Sequence, residues 1–260
     1  MGTAEVQGAL WGAAARDWAD LNEPNCAVLY NAVFDATGVD GSTELLDVGC
    51  GSGLALQTAA KRGAAVTGFD ASAPLLEIAA GRVPGADLRQ GDIESLPYGD
   101  GTFTTVTSFN AVQYAADPVA ALRELRRVTR AGGPIAVLSW GDPERCETRS
   151  ILAAIGGLLP PPPPGAGGPF ALAAPGQLED LLARAGLTAT GHGEVQQRFE
   201  FPDLEVAVRA QMASGPARMA IEHAGADAAR AALTGAFAGS RQDDGSYVQG
   251  NVFRYVVGRG

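Results

Sequence analysis

A doubly wound α/β fold with a mostly parallel sheet is the architecture the sequence predicts, on three observations. Short apolar runs alternate with helical patterns over residues 44–140, the first run ends in a cluster of glycines, and Asp-Pro and Gly-Gly pairs punctuate the later segments. Glu44–Val48 reads as the first strand, closing on Gly49, Gly51 and Gly53. Helical spacing runs from Gly53 to Arg62, and Gly63 supplies its stop. Ala64–Phe69 is the second strand, after which Ser72 caps a helix with Pro74 in its first turn. Ala86–Arg89 is a third strand, and Phe103–Phe109, rich in threonine and valine, is a fourth. Asp117 caps the next helix with Pro118 at its first position, and Val119, Leu122, Leu125 and Val128 form its apolar stripe. Gly132-Gly133 ends that helix before a fifth strand over Pro134–Trp140.

The second half is less regular. The proline-rich stretch 160–169 cannot be helix or interior strand, so it is expected to be a stiff connector. Leu178, Leu181, Leu182 and Ala185 mark an amphipathic helix stopped by Gly186. Leu187–Phe201 and Tyr247–Val257 read as long strands able to pair antiparallel at one sheet edge. Between them Asp203–Phe237 is helical, interrupted at Gly215-Pro216. The expected organisation is an N-terminal helical lid over 1–40, a ligand-binding core over 41–142, and a completion of the sheet over 143–260 with a helical cap inserted at about 203–240.

Composition narrows the function. The chain has 260 residues, 46% of them apolar, enough for a large core. Its 19 basic and 29 acidic residues leave a net charge of −10, which disfavours a nucleic-acid backbone or an anionic membrane as partner. Cys26, Cys50 and Cys146 are odd in number and widely spaced, which argues against a disulfide framework. The two histidines, His192 and His223, form no H-x-x-x-H pair, so no metal is expected. No basic leader precedes an apolar run, and no segment approaches the roughly 18 apolar residues of a membrane span. A soluble, cytoplasmic protein acting on a small molecule is the expectation.

The most informative stretch is Leu45–Gly53, LLDVGCGSG, followed by Asp70 at the end of the second strand. The glycines let the backbone turn tightly and lie bare against a ligand, and Asp70 stands where an acidic residue takes the hydroxyls of an adenosine ribose. A dinucleotide site would carry G-x-G-x-x-G, but here the spacing is G-x-G-x-G and Leu54 takes the place of the last glycine. Asp47 would repel a pyrophosphate and attract a cation, and the ligand that joins a ribose, an ammonium and a sulfonium is S-adenosylmethionine. A dehydrogenase is disfavoured on the same grounds.

The segment resembles motif I of the class I S-adenosylmethionine-dependent methyltransferases, and the resemblance continues. Gly91-Asp92-Ile93-Glu94 with Leu96-Pro97-Tyr98 resembles that family's G-D-x-x-x-L-P-F/Y element, Phe109–Tyr114 its fourth-strand end, and Arg126–Gly133 its R-V-L-K-P-G-G turn. Thr104-Thr105 and Ala131 depart from the pattern. The likeness is greatest to small-molecule enzymes of the ubiquinone/menaquinone-biosynthesis type. It implies a seven-stranded, Rossmann-like sheet with the last strand antiparallel. It also implies a cofactor site in which Asp47, Gly49, Gly51 and Gly53 serve the methionine part, Asp70 the ribose, Asp92 and Ile93 the adenine, and Asn110 and Gln113 the methionine end, with Cys50 and Ala71 also among the cofactor-binding residues.

Each of these residues also has a structural reading. Three glycines alone make a strand–helix turn, and Cys50 reads as a small packing residue rather than a nucleophile. Trp11 and Trp18 are spaced to share one helix face, either packing on the core or covering the sulfonium. His192, His223 and Tyr114 are the candidates for a general base. The expected activity is methyl transfer to an O, N or C nucleophile of a small metabolite. The alternatives are a cyclisation or rearrangement on the same fold, and a binding protein with no catalysis.

Overall fold

The computed structural model describes residues 2–161 and 167–260, so the middle of the proline-rich connector lies outside the described residues. The N-terminal segment is a broken helical path. It consists of α1 (Ala4–Gly12), α2 (Ala15–Asp17), a wide π-turn over Trp18–Asn22, a 3-10 turn over Glu23–Cys26, and α3 (Ala27–Thr37). The core continues as β1 (Glu44–Val48), α4 (Leu54–Lys61), β2 (Ala65–Asp70), α5 (Ala73–Arg82), β3 (Asp87–Gln90), β4 (Thr105–Phe109), α6 (Pro118–Val128) and β5 (Ile135–Trp140). Then come α7 (Thr148–Gly156), α8 (Gln177–Arg184), β6 (Thr188–Phe201), α9 (Leu204–Met212), α10 (Gly215–Ala224), α11 (Ala226–Ala236) and β7 (Tyr247–Arg259).

The seven strands form one sheet in the order β3-β2-β1-β4-β5-β7-β6. The first five run parallel, and β7 runs antiparallel to both β5 and β6. Chain order reverses between β1 and β4, which opens a crevice at the carboxyl ends of the strands. Local chemistry sets the helix starts around it. The Ser72 hydroxyl accepts the Leu75 N–H at 3.4 Å, and one Asp117 oxygen accepts the N–H groups of Val119 at 2.9 Å and Ala120 at 3.1 Å.

Each sheet face is covered by an apolar layer. Leu122, Leu125 and Val128 of α6 and Leu178 and Leu182 of α8 pack with Val106 and Val137 on one side. On the other, Leu29 and Val33 of α3 and Ile151 and Ile155 of α7 pack with Leu138 and Phe253.

Several sequence expectations change. The fourth strand starts at Thr105, because Phe103 makes only an isolated bridge to Thr129. The helical segment is interrupted at Gly215-Pro216 as expected, the pair opening α10 with Ser214 as its cap, but a second break falls at Gly225. The two long strands pair as expected, with β7 inside the sheet and β6 at its edge. Trp11 and Trp18 are not on one helix, since Ala14 at φ −140° breaks the path between α1 and α2. Their rings nevertheless meet edge to face at 4.7 Å. No helix among the described residues is long and apolar enough to cross a membrane.

The double cap on α6 yields a direct test. Asp117→Ala removes the partner of two N–H groups at the start of a helix that covers the sheet, at a cost of about 1 kcal/mol. Calorimetry should show the midpoint falling by about 2–4 °C with the fold retained.

Candidate functional site

The site begins where β1 ends. Gly49, Gly51 and Gly53 all have positive φ, at 81°, 55° and 85°. A Cβ on Gly49 would collide with Ala111 at the end of β4, and one on Gly53 would lie 2.8 Å from the Ala79 side chain on α5. Gly49 is therefore small because β4 approaches, and Gly53 because α5 does. The turn is tied to β2 by the N–H groups of Gly49 and Cys50, which donate to the Phe69 carbonyl at 2.7 and 3.1 Å. The Asp70 carboxylate completes the tie. Oδ2 accepts the Gly51 N–H and Oδ1 the Ser72 N–H, both at 2.8 Å.

Asp47 points in from β1, 1% exposed, and its Oδ1 accepts the Thr107 hydroxyl of β4 at 2.8 Å. Asp92, beyond the end of β3, accepts the Glu94 N–H at 3.0 Å. Asn110, past β4, is the one non-glycine residue at positive φ among the described residues, at 51°. Gln113 donates to its Oδ1 at 3.3 Å.

The structure adds a residue that the sequence did not disclose. Glu23, in the 3-10 turn before α3, is 3% exposed and accepts hydrogen bonds from the Ser52 hydroxyl and from Arg82 of α5. Arg82 also donates to the carbonyls of Ser52 at 3.1 Å and Ala19 at 2.9 Å. One ion pair thus joins the N-terminal segment, the glycine turn and α5. Nothing near Glu23 in the chain signals this, because Arg82 lies 59 positions away.

Three buried carboxyls therefore line the crevice, and the one guanidinium among their hydrogen-bond partners, that of Arg82, is bound to Glu23 behind the wall. Burial is the main cause of the rise of the Asp47 pKa to about 7, opposed by the Thr107 hydrogen bond and reinforced by Asp70 and Glu23. Burial also raises Asp70 and Glu23, against the backbone hydrogen bonds of the first and the Ser52 and Arg82 contacts of the second. The region is short of positive charge.

These groups open on a single cleft enclosing about 1540 Å³ of empty space, open solvent at its mouth included. The structure brings Asp47, Gly49, Cys50, Gly51, Asp70, Ala71, Asp92, Ile93 and Asn110 together along its wall, with Tyr114, Trp11 and Trp18. Gly53 and Gln113 are not on that wall. Gly53 starts α4, and Gln113 is 1% exposed and braces Asn110 from behind. The histidines are also elsewhere. His192 is exposed on the edge strand β6, and His223 is exposed in the last turn of α10. Burial keeps the Tyr114 phenol well above its ordinary range, hence protonated, and does the same to the Cys50 thiol.

The strand order, the switch-point glycine turn and its carboxylates define a Rossmann-like domain of the class I methyltransferase type. Residues 46–137 match the family model described as a methyltransferase domain. The chain is similar to the demethylmenaquinone methyltransferase of Renibacterium salmoninarum, 33% identical over 111 residues that cover 43% of this chain and 47% of that protein. It spans about half the length of the curated relatives it matches.

Two solved structures share the fold. One is the geranyl diphosphate C-methyltransferase of Streptomyces coelicolor in complex with Mg²⁺, geranyl diphosphate and S-adenosylhomocysteine. Its TM-score is 0.53 at 14% identity, over 89% of this chain and 78% of that one. The other is the [4+2]-cyclase SpnF, with a TM-score of 0.58 at 24% identity, over 90% of this chain and 80% of that one.

The Asp47 carboxyl sets a pH dependence. Its pKa rises from 3.8 unfolded to about 7 folded, so folding takes up a proton between those values. Its contribution to stability is complete below pH 3.8 and is lost as pH climbs to about 7. Asp47→Asn, which keeps an oxygen for Thr107, should raise the ligand-free melting temperature at pH 8 by about 2 °C or more and leave it nearly unchanged at pH 4. A fall at pH 8 in differential scanning fluorimetry contradicts the assignment.

Proposed function

We propose that the chain binds S-adenosylmethionine in this crevice and catalyses methyl transfer to an O, N or C nucleophile of a small organic molecule. The observation that carries the reading is the sign of the charge. The glycine turn is flanked by Asp47, Asp70 and Glu23, whose only charged hydrogen-bond partner among the described residues is Arg82. That surrounding is hostile to a pyrophosphate and favourable to a ligand with an ammonium and a sulfonium.

The residues present fit such a ligand. Each Asp70 oxygen holds one N–H and keeps lone-pair capacity for a ribose hydroxyl. Gly49 and Gly51 offer bare backbone, Asp92 and Ile93 stand at the adenine end, and Asn110 closes the methionine end. Asp47, at a pKa of about 7, would be held in its ionised form by the ammonium of such a ligand. When bound, the cofactor supplies an electrophilic methyl group on a positively charged sulfur. Trp11 and Trp18 keep water from the crevice, and a protonated Tyr114 donates a hydrogen bond rather than acting as a base. With no histidine among the described lining residues, rate acceleration rests on placement, worth on the order of 7 kcal/mol or more.

That absence of a histidine also supports a second reading, a rearrangement or cyclisation with the cofactor bound as a structural element. Labelled cofactor separates the two, because only methyl transfer moves the label.

Asp70→Ala should weaken S-adenosylhomocysteine binding by about 2–4 kcal/mol in titration calorimetry, the loss of two charge-assisted hydrogen bonds. Asp70→Asn, which still has an oxygen for one backbone N–H, should lose less. Equal affinity in wild type and Asp70→Ala removes the ribose role, and no binding by the wild type removes the cofactor.

A further inference from the structure

Glu23 does more than tie the N-terminal segment to the glycine turn, because half of its carboxylate is left without a firm partner. The side chain is 3% exposed and lines the cleft. One oxygen, Oε2, accepts both the Ser52 hydroxyl and the Arg82 guanidinium. The other, Oε1, has the Leu54 N–H at 3.5 Å, the outer limit of a hydrogen bond. Oε1 also stands over the bare face of Gly51, 3.7 Å from where a Cβ on that glycine would lie. The ion pair thus fixes one oxygen and leaves the other beside the backbone offered to the cofactor. A buried carboxylate oxygen in that condition is costly until a donor reaches it.

The same wall has no matching place for a negative group. The charged side chains among the described residues lining the cleft are Glu23, Asp47, Asp70 and Asp92, and none is Lys, Arg or His. Arg82 lies behind, its terminal nitrogens taken by Glu23, by the hydroxyl and carbonyl of Ser52 at 3.1 Å each, and by the Ala19 carbonyl at 2.9 Å. Donors for an anion are therefore neutral. The Tyr30 hydroxyl is one of them, on a side chain 8% exposed that lines the cleft. Its side-chain hydrogen-bond neighbour is the Cys26 thiol, a weak acceptor, and burial keeps the phenol protonated. An amino-acid end carries an ammonium and a carboxylate on one carbon. In this place the ammonium meets opposite charge, whereas the carboxylate meets like charge and neutral donors.

We propose that Glu23 Oε1 receives the ammonium of the cofactor's amino-acid end, and that the site selects on this ammonium and not on the carboxylate beside it, so that a decarboxylated S-adenosyl ligand is held at least as tightly as its parent. This rests on the cofactor reading above and adds to it a binding residue from the N-terminal segment and a charge preference among nucleoside ligands.

Titration calorimetry with S-adenosylhomocysteine, its decarboxylated analogue, its deaminated analogue and 5′-methylthioadenosine, which lacks both groups, tests it. On the wild type, removing the carboxylate should leave affinity equal or higher, and removing the ammonium should lower it about tenfold or more. Glu23→Gln should weaken S-adenosylhomocysteine and its decarboxylated analogue about tenfold or more and leave 5′-methylthioadenosine unchanged, which also shows that the glycine turn persists in the variant. A tenfold loss on decarboxylation overturns the charge preference. A deaminated analogue that binds the wild type as tightly as S-adenosylhomocysteine overturns the ammonium contact, and both of these comparisons stand whether or not the variant folds. Equal weakening of 5′-methylthioadenosine and S-adenosylhomocysteine by Glu23→Gln also overturns the contact, since Glu23 then acts through the turn alone. Failure of all four ligands to bind the wild type overturns the cofactor reading itself, an outcome distinct from the others because in those 5′-methylthioadenosine still binds.

Discussion

Holding carboxyls dry at the point where the sheet changes direction is the constraint on which the rest of the site depends. A buried carboxylate without a cation is costly, and at Asp47 and Asp70 the fold offsets part of that cost with backbone and hydroxyl donors rather than with opposite charge. Asp70 takes two N–H groups from turns at the ends of β1 and β2, and Asp47 takes the hydroxyl of Thr107 from the neighbouring strand. These donors orient the groups but leave them raised in pKa. Without a cation beside them these carboxyls cost the fold stability, a trade common at functional sites.

Glu23 shows how the N-terminal segment belongs to this arrangement. Its carboxylate meets the Ser52 hydroxyl in the glycine turn and the Arg82 guanidinium of α5, and Arg82 reaches back to the Ala19 carbonyl. Each partner needs the others, because removing one leaves a buried charge unmatched. Small residues then bring α1 close. A Cβ on Gly8 would collide with the Ala71 carbonyl beside Asp70, and one on Gly12 would lie 2.8 Å from the Ser72 hydroxyl. The outer wall of the cleft is therefore specified by contacts to the same turn that forms its floor.

What the sequence disclosed divides along the range of the interactions involved. Caps such as Ser72 and Asp117 were legible because a side chain bonds a backbone group two or three residues on, and the glycine turn because its positive φ values admit few other residues. Strand and helix ends shifted by a residue or two. The role of Glu23, whose partners lie 29 and 59 positions away, left no local trace. Asn110 and Gln113 were indistinguishable as polar residues of one motif, but the backbone turns at Asn110, so one faces the cleft and the other supports it. The exposure of His192 was more accessible than its reading as a possible base implied. It alternates with Glu194, Gln196 and Arg198 along β6, the pattern of a solvent face.

The cleft has an acidic arm at the ends of β1 and β2 and an aromatic arm at the end of β5, where the Phe253 ring backs Trp140 at 4.4 Å. This division results from the sheet rather than from separate domains. Parallel strands deliver their carboxyl ends to one edge, and β1, β2 and the loops after β3 and β4 place acids or amides there. An antiparallel strand inserted next to β5 brings the first half of its own length to that edge instead, and in β7 this half carries Gln249 and Phe253. Reversing one strand therefore puts an apolar ring and a buried amide network beside the end of β5, where a further parallel strand would have presented another strand-to-helix turn with free N–H groups. A turn of that kind attracts anions, whereas the reversed strand leaves a wall without them. The polarity of the second arm is to that extent a consequence of strand direction.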